Sequence, residues 1–190
     1  PGPCRVRSGM ASFITASATM PGIASLGERG FNESRQKAIF QRQFSRPRGW
    51  MGRLIGWWMA RSNRSLNRLA VHRLRVRPGD CVLEIGFGPG EAIALLAQHT
   101  QAAWIAGIDA SQEMLEQATY RNAPAVSAGR VVLKLAVVEE LPHEANAFDK
   151  ILAVSNFMVW ESPARGLTEA HRVLKPGGSI VICQRAAPKM

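Results

Sequence analysis

The segment from residue 81 to residue 99 constrains the fold of this chain more than any other. An apolar run, Cys81–Ile85, leads into the sequence GFGPG at 86–90, and a helix-like stretch, Glu91–His99, follows at once. Glycines let a chain turn sharply and let a ligand approach its backbone. A strand, a glycine-rich turn and a helix in this order are typical of a doubly wound α/β domain, whose ligands bind beyond the carboxyl ends of the strands.

The alternation of strand-like and helix-like segments continues along the chain. Further candidate strands are Trp104–Ile108, Val131–Val137, Phe148–Val154 and Ser179–Cys183. Helical patterns at 112–122 and 163–174 follow Ser111 and Ser162, which are typical N-cap residues. Near-continuous apolar strands are typical of parallel sheets that helices cover on both faces. We therefore predict an α/β fold with a doubly wound, mostly parallel sheet.

The formal net charge of +10 is unevenly distributed. Residues 1–80 hold 15 Arg and Lys against 3 Asp and Glu, whereas residues 81–190 hold 9 against 11. We interpret 1–32 as a disordered or non-native N-terminal segment, 33–77 as a basic helical extension or lid, and 78–190 as the ligand-binding domain. The basic part is suited to nucleic acid, an anionic membrane surface or an acidic substrate, or it is simply a solvated arm.

Two classes of protein are disfavoured by composition. No run of about 18 apolar residues is present, which argues against a membrane span and favours a cytoplasmic location. The three cysteines lack CxxC spacing, which argues against a zinc site, and we predict no metal.

The glycine-rich turn leaves two cofactors open. A dinucleotide fingerprint reads GxGxxG, but this sequence reads GxGxG and places Glu91 where the third glycine should stand. A carboxylate there would repel a pyrophosphate, whereas S-adenosylmethionine carries no phosphate and has a cationic ammonium. Together with Glu84, two residues before Gly86, this favours the methyl donor over NAD; a turn that binds nothing remains the third interpretation.

An acid closes the second candidate strand. Asp109 lies 23 residues after Gly86, at a position where a carboxylate can accept hydrogen bonds from ribose hydroxyls. Alone, Asp109 could instead cap the following helix beside Ser111. In combination with the glycine-rich turn we favour recognition of a ribose.

Five short motifs then follow one another in a recognisable order. They are LEIGFGPG at 83–90, GIDAS at 107–111, EELP at 139–142, FDKI at 148–151 and RVLKPGG at 172–178. Together they resemble the successive motifs of class I, Rossmann-like S-adenosylmethionine-dependent methyltransferases. The resemblance is strongest to the small-molecule type that includes ubiquinone/menaquinone-biosynthesis and phospholipid N-methyltransferase-like enzymes, and it spans roughly residues 76–184.

The resemblance implies that S-adenosyl-L-methionine is the cofactor and assigns residues to its methionine end. Gly86, Gly88 and Gly90 would shape the loop around the methionine moiety, with Glu84 supporting its ammonium group. Ser155, just past the fourth strand, would line the floor of the site.

The same resemblance assigns residues to the adenosine end. Asp109 would bind the ribose, Ala110 and Met114 would lie against the adenosine, and Val138 and Glu139 would lie beside the adenine. Family members often carry an acid just before the EELP-like segment. Here that stretch is apolar, so we expect adenine recognition through backbone groups and packing.

The family sheet usually finishes with an antiparallel hairpin after its fifth strand, and this sequence ends soon after the fifth candidate strand. We therefore expect a sheet that lacks the final hairpin. An uncovered fifth strand is an aggregation-prone edge. We therefore expect either a truncated form of the family fold or an edge that the N-terminal segment or a partner, such as a second copy in a homo-oligomer, covers.

Displacement at a sulfonium needs mainly positioning and desolvation, so we assign no catalytic acid or base. Candidates for the acceptor site are Asn156 and Trp160, after the fourth strand, and Trp57, in the basic extension. The helix that contains Trp57 would be a lid, a helix packed on the sheet edge or a membrane-surface helix.

The leading hypothesis is methyl transfer to a small-molecule or lipidic acceptor. One alternative is a non-catalytic, methyltransferase-like binding or assembly module. A second is a nucleic-acid methyltransferase that uses the basic N-terminal arm.

Overall fold

The computed structural model describes residues 64–184. The predicted segment 1–32 and residues 33–63 of the predicted extension 33–77, with Trp57 and the lid helix, lie outside the described residues. We label the described part of the first helix, residues 64–74, α1. The elements after it are β1 Cys81–Ile85, α2 Glu91–His99, β2 Trp104–Asp109, α3 Gln112–Arg121, α4 Ala123–Ser127, β3 Val131–Leu135, β4 Phe148–Val154, a 3-10 turn Phe157–Val159, α5 Pro163–Val173 and β5 Leu174–Cys183.

The strands form one sheet in the order β3-β2-β1-β4-β5, and every neighbouring pair is parallel. This confirms the predicted doubly wound α/β fold. The chain builds outward from β1 to β3 and then returns to place β4 on the other side of β1. The carboxyl ends of β1 and β4 therefore flank the point where the direction of winding reverses, where α/β sheets bind their ligands.

Alternating side chains of the central strands supply two cores, one on each face of the sheet. Val82 of β1 and Leu152 of β4 belong to the core under α1, α2 and α3. Leu83 and Ile151, which neighbour these two residues along their strands, belong to the core on the other face, under α5. All five residues of β1 are buried. Burial on both faces explains why this strand is an apolar run that only Glu84 interrupts.

Two helices, α3 and α5, begin where the sequence predicts. The hydroxyl of Ser111 accepts a hydrogen bond from the Met114 amide, and that of Ser162 accepts one from the Arg165 amide. Both serines are thus the N-caps that the sequence predicts. Among the described residues, no helix is both long enough and apolar enough to cross a membrane.

The structure departs from the sequence prediction in two strands. β3 ends at Leu135 and not at Val137, because Leu135 pairs with Asp109, the last residue of the neighbouring strand β2. β5 begins at Leu174 and contains the predicted KPGG turn, which its pairing with β4 absorbs as a register shift between Phe148 and Lys150. The short helix α4 and the 3-10 turn are not predicted by the sequence pattern.

Candidate active site

The candidate site lies where β1, β2 and β4 end. The glycine-rich loop follows β1, Asp109 is the last residue of β2, and Ser155 follows β4. These strands are adjacent in the sheet and parallel, so three segments that are distant in the sequence share one edge.

The glycines of the loop have different surroundings. Gly86, Gly88 and Gly90 all adopt positive φ angles, of 66°, 52° and 78°. A Cβ atom on Gly86 would overlap the Asn156 side chain, whereas a Cβ on Gly88 would meet no atom of the described part of the chain within 4 Å. Gly86 is therefore required by packing inside the protein. Gly88 borders open space, where a ligand can lie directly against the backbone.

Glu84 is a buried acid with incomplete hydrogen bonding. It is 2% exposed, and its Oε2 atom has no hydrogen-bond partner within the described residues 64–184. Burial raises the pKa of this carboxyl well above its ordinary value, and the nearby Asp109 carboxylate raises it further, while the Ile93 backbone amide opposes the shift. A buried carboxyl without a full set of partners is costly. It is suited to receive a cationic group of a ligand.

Ser155 is the second buried polar group without a partner. Its backbone has a φ of 57°, an uncommon value for a residue other than glycine, and its amide donates to the Cys183 carbonyl at 2.7 Å. Its Oγ atom is buried and makes no hydrogen bond within residues 64–184. The place of Ser155 at the floor of a cofactor site stays a prediction.

Asp109 organises the loops as well as the predicted ribose site. Its Oδ2 accepts the Gly88 amide at 2.8 Å, and its Oδ1 accepts the Ser111 amide at 2.9 Å. Burial raises the pKa of this carboxyl, and these backbone hydrogen bonds partly oppose the rise. Each carboxylate oxygen keeps a further lone pair for a hydroxyl donor.

The remaining predicted cofactor residues surround the end of β2. Ala110 is exposed directly after Asp109, and Met114 is buried on α3. Val138 is buried, and the Oε1 atom of Glu139 accepts the Ser162 amide at 3.0 Å. Glu139 thus ties its loop to the start of α5, and its role beside an adenine stays a prediction.

Asn156 and Trp160 support the site from the side of β4. The Asn156 side-chain amide donates to the carbonyls of Ile85 and Gly86, and its Oδ1 accepts the Trp160 indole N–H at 3.2 Å. Trp160 is 7% exposed, and a Cβ atom on Gly166 would overlap its ring. Both side chains are engaged within the protein. Their predicted contact with an acceptor stays a prediction.

Two residues at the end of α3 hold the glycine-rich loop, and sequence reasoning missed both. Arg121 donates through Nε to the Pro89 carbonyl at 2.8 Å, and Asn122 donates through Nδ2 to the Gly90 carbonyl at 3.1 Å. The only sequence signal is that an arginine and an asparagine end a helix, which is common at any helix end.

The charge of Glu91 is compensated in the structure. Its Oε1 meets Arg64 Nε at 3.2 Å, and its Oε2 meets Arg121 Nη1 at 3.0 Å. Two guanidinium groups thus offset the negative charge of Glu91, and its effect on a pyrophosphate stays a prediction.

The comparisons with known proteins agree with this geometry. The sequence matches the family model described as a methyltransferase domain over residues 83–182, more than half of the chain. The chain belongs to this family, the class I S-adenosylmethionine-dependent methyltransferases.

Curated relatives cover a similar region. The uncharacterized methyltransferase YdaC of Bacillus subtilis is 33% identical over 129 residues, 68% of this chain and 69% of that protein. The ubiquinone/menaquinone biosynthesis C-methyltransferase UbiE of Geotalea daltonii is 33% identical over 128 residues, 67% of this chain and 54% of that protein. The chain thus spans about half the length of the UbiE relative.

Solved structures share the fold. The [4+2]-cyclase SpnF is 26% identical, with a TM-score of 0.59 over 72% of this chain and 46% of that chain. A putative S-adenosylmethionine-dependent methyltransferase from Methanococcus maripaludis is 23% identical, with a TM-score of 0.57 over 85% of this chain and 67% of that chain. The second likeness concerns the fold alone.

S-adenosylmethionine, the cofactor of this family, fits the residues at the site. The open space at Gly88 leaves room against the backbone, and Glu84 Oε2 and Ser155 Oγ are buried polar atoms without a hydrogen-bond partner within residues 64–184. Asp109 adds a carboxylate at the end of the neighbouring strand. An ammonium, a carboxylate and ribose hydroxyls supply the matching donors and acceptors.

Proposed function

We propose that this chain binds S-adenosylmethionine at the carboxyl edge of β1, β2 and β4 and transfers its methyl group to an apolar small-molecule or lipidic acceptor. The observation that carries the proposal is the pairing of an open glycine-rich loop with a buried, incompletely bonded acid, Glu84. Neither feature stabilises the free fold, so each is best explained by a ligand.

The donor end of the site needs little chemistry from the protein. S-adenosylmethionine supplies a methyl group on a positively charged sulfur, which is already a good leaving group. Gly88 and its neighbours let the methionine portion approach the backbone, while Glu84 faces its ammonium and Asp109 accepts its ribose hydroxyls. These contacts orient the donor, which is the main requirement for an in-line displacement.

The acceptor side is apolar. Directly after Asn156, the 3-10 turn carries Phe157, Met158 and Val159, of which Met158 is 70% and Val159 is 38% exposed. Exposed apolar groups beside a binding site favour a ligand with an apolar surface. The names of relatives such as UbiE and demethylmenaquinone methyltransferase suggest a quinone precursor as the first compound to test.

No acid or base is assigned to the transfer. His143 contacts Trp104 and Phe148, the first residues of β2 and β4, and therefore lies at the amino end of the sheet. Strands of six or seven residues place that end about 20 Å from the glycine-rich loop. Positioning and exclusion of water are therefore the proposed sources of catalysis.

The test is donor binding followed by turnover, with the full chain. Isothermal titration with S-adenosylhomocysteine measures the donor site, with NAD as the competing ligand. Product formation is then followed with a demethylmenaquinone analogue, a phospholipid vesicle and an RNA oligonucleotide as acceptors. Release of S-adenosylhomocysteine with the quinone precursor or the vesicle alone is the expected result.

The other outcomes separate the alternatives. Donor binding without turnover on any acceptor supports the non-catalytic module, a distinction that the fold cannot make since folds host unrelated functions. Turnover on RNA alone supports the nucleic-acid methyltransferase. Binding of NAD but not of S-adenosylhomocysteine contradicts the proposal altogether.

A further inference from the structure

A second cleft lies far from the glycine-rich loop, between the last turns of α1 and α2. Its volume is about 480 Å³, within the usual range of small-molecule sites. Val71, Val76 and Leu95 line it with apolar groups. Nothing in the proposed methyl transfer uses this cleft, because it lies toward the amino ends of the strands, where α2 ends at His99.

Four basic side chains border the cleft. Arg68, His72 and Arg75 lie along α1 and its end, and His99 lies in the last turn of α2. All four residues are exposed. Within residues 64–184, no acid forms a salt bridge with them and their side chains make no hydrogen bond. Two permanently charged guanidinium groups and two imidazoles thus face one cavity with unused donors.

The backbone of Arg75 is a second, independent observation. Its φ is 50°, in the left-handed region, at the position that follows the last helical residue of α1. Glycine is the usual residue there because it has no Cβ penalty, and an arginine costs conformational energy. Because Arg75 keeps this strained backbone and its side chain borders the basic cleft, we infer that its guanidinium group has a functional role.

We propose that this cleft binds a phosphate group carried by a nucleotide, either free or within a nucleic-acid strand. The arginines and histidines would donate to the phosphate oxygens, since guanidinium groups match phosphate geometry in bidentate contacts. The apolar lining from Val71, Val76 and Leu95 would receive the sugar and base. The same cleft offers no acid to accept hydrogen bonds from a cationic ligand.

The probes are uridine 5′-monophosphate, uridine, inorganic phosphate and a single-stranded RNA of twelve nucleotides. Each is titrated against the full chain with saturating S-adenosylhomocysteine, which keeps the probe out of the donor site. The key variant is Arg75→Gly, because glycine suits the left-handed backbone and the fold is expected to be at least as stable as the wild type. Arg68→Gln is the second variant.

Arg73→Gln is the matched control. Arg73 lies on the same helix, is exposed and carries the same charge, but it does not line the cleft. We expect Arg75→Gly and Arg68→Gln each to weaken binding about tenfold or more, as the loss of a charge-assisted contact does, and Arg73→Gln to have little effect. Thermal unfolding and S-adenosylhomocysteine binding verify that each variant is folded.

The outcomes identify the source of the phosphate. Binding of the mononucleotide but not of uridine supports a free nucleotide, and binding of RNA alone with the same pattern of variants supports a strand. Binding that all three variants weaken equally indicates diffuse attraction and overturns the proposal. Absence of binding by every probe also overturns it.

Discussion

At the scale of single residues, the site depends on groups that the fold alone does not satisfy. Glu84 is the clearest case, because its carboxyl is buried and its Oε2 has no partner. In the unfolded chain the same carboxyl titrates near its ordinary pKa, whereas burial raises the pKa in the folded protein. The residue therefore links stability to pH and, under the proposed function, to donor binding.

We predict that Glu84→Gln lowers the affinity for S-adenosylmethionine about tenfold or more, because a charged partner of the ammonium is lost. The substitution should have the opposite effect on the free energy of unfolding, because it removes a buried ionisable group. The folded wild type binds more protons than the unfolded chain, so its free energy of unfolding falls as pH rises between the ordinary and the raised pKa. Urea titrations across this pH range should show a smaller fall for the variant. An identical pH dependence in both proteins would contradict this prediction.

Alanine substitutions at Gly86 and Gly88 should separate an effect on stability from an effect on donor binding. Gly88→Ala places a methyl group in open space and should cost about 1 kcal/mol of backbone strain at its positive φ, yet it should abolish most donor binding. Gly86→Ala adds overlap with Asn156 to the same strain and should cost roughly 3 kcal/mol or more. Thermal unfolding and donor titration of both variants test the contrast. Equal loss of stability in the two would refute it.

At the scale of elements, the end of α3 controls the glycine-rich loop. Arg121 contacts both the Pro89 carbonyl and the Glu91 carboxylate, and Arg64 of α1 contacts the same carboxylate. A chain of ion pairs thus connects α1, the start of α2 and the end of α3. The exposed pairs contribute little stability by themselves. Their effect is to fix where the loop lies.

We predict that Arg121→Met weakens donor binding about fivefold while changing stability by less than about 1 kcal/mol. Arg64→Gln is the matched control, because it removes an arginine from Glu91 without touching the Pro89 carbonyl. If the contact between Arg121 and the Pro89 carbonyl positions the loop, the Arg64→Gln variant should bind the donor with wild-type affinity. Equal weakening in both variants would show that the ion pair with Glu91, and not the carbonyl contact, positions the loop.

At the scale of the whole molecule, burial is concentrated in the centre of the sheet. β1 lies between β2 and β4 and is buried throughout, whereas only the first residue of β3 is fully buried. The site therefore rests on the most protected strands. The residues predicted to contact the adenosine lie at the end of β2 and in the loop after β3, nearer the sheet edge.

We predict that amide hydrogen exchange is slowest in β1 and β4 and markedly faster in β3, because peripheral strands open without global unfolding. Binding of S-adenosylhomocysteine should slow exchange in the glycine-rich loop and after β2. Mass spectrometry of peptides from the exchanged protein measures both effects. Uniform exchange rates across the sheet would contradict the prediction.

Local patterns in the sequence determined most of the elements. Apolar runs specified the strands, and Ser111 and Ser162 specified two helix starts, because these signals involve neighbouring residues. The glycine-rich turn, Asp109 and the ordered motifs also sufficed to indicate S-adenosylmethionine. Each is a short-range feature that the sequence shows directly.

Only the tertiary structure decided how the site is supported. The partners of Glu91, the hold of Arg121 on the Pro89 carbonyl and the bonds of Asn156 to the end of β1 join residues about 30 to 70 positions apart. The basic cleft likewise needs α1 and α2 side by side. Such contacts depend on how strands and helices are arranged, and a pattern of neighbouring residues does not encode that arrangement. The sequence alone therefore determined the class of the protein and its donor loop, and the packing of distant segments decided which residues hold that loop in place.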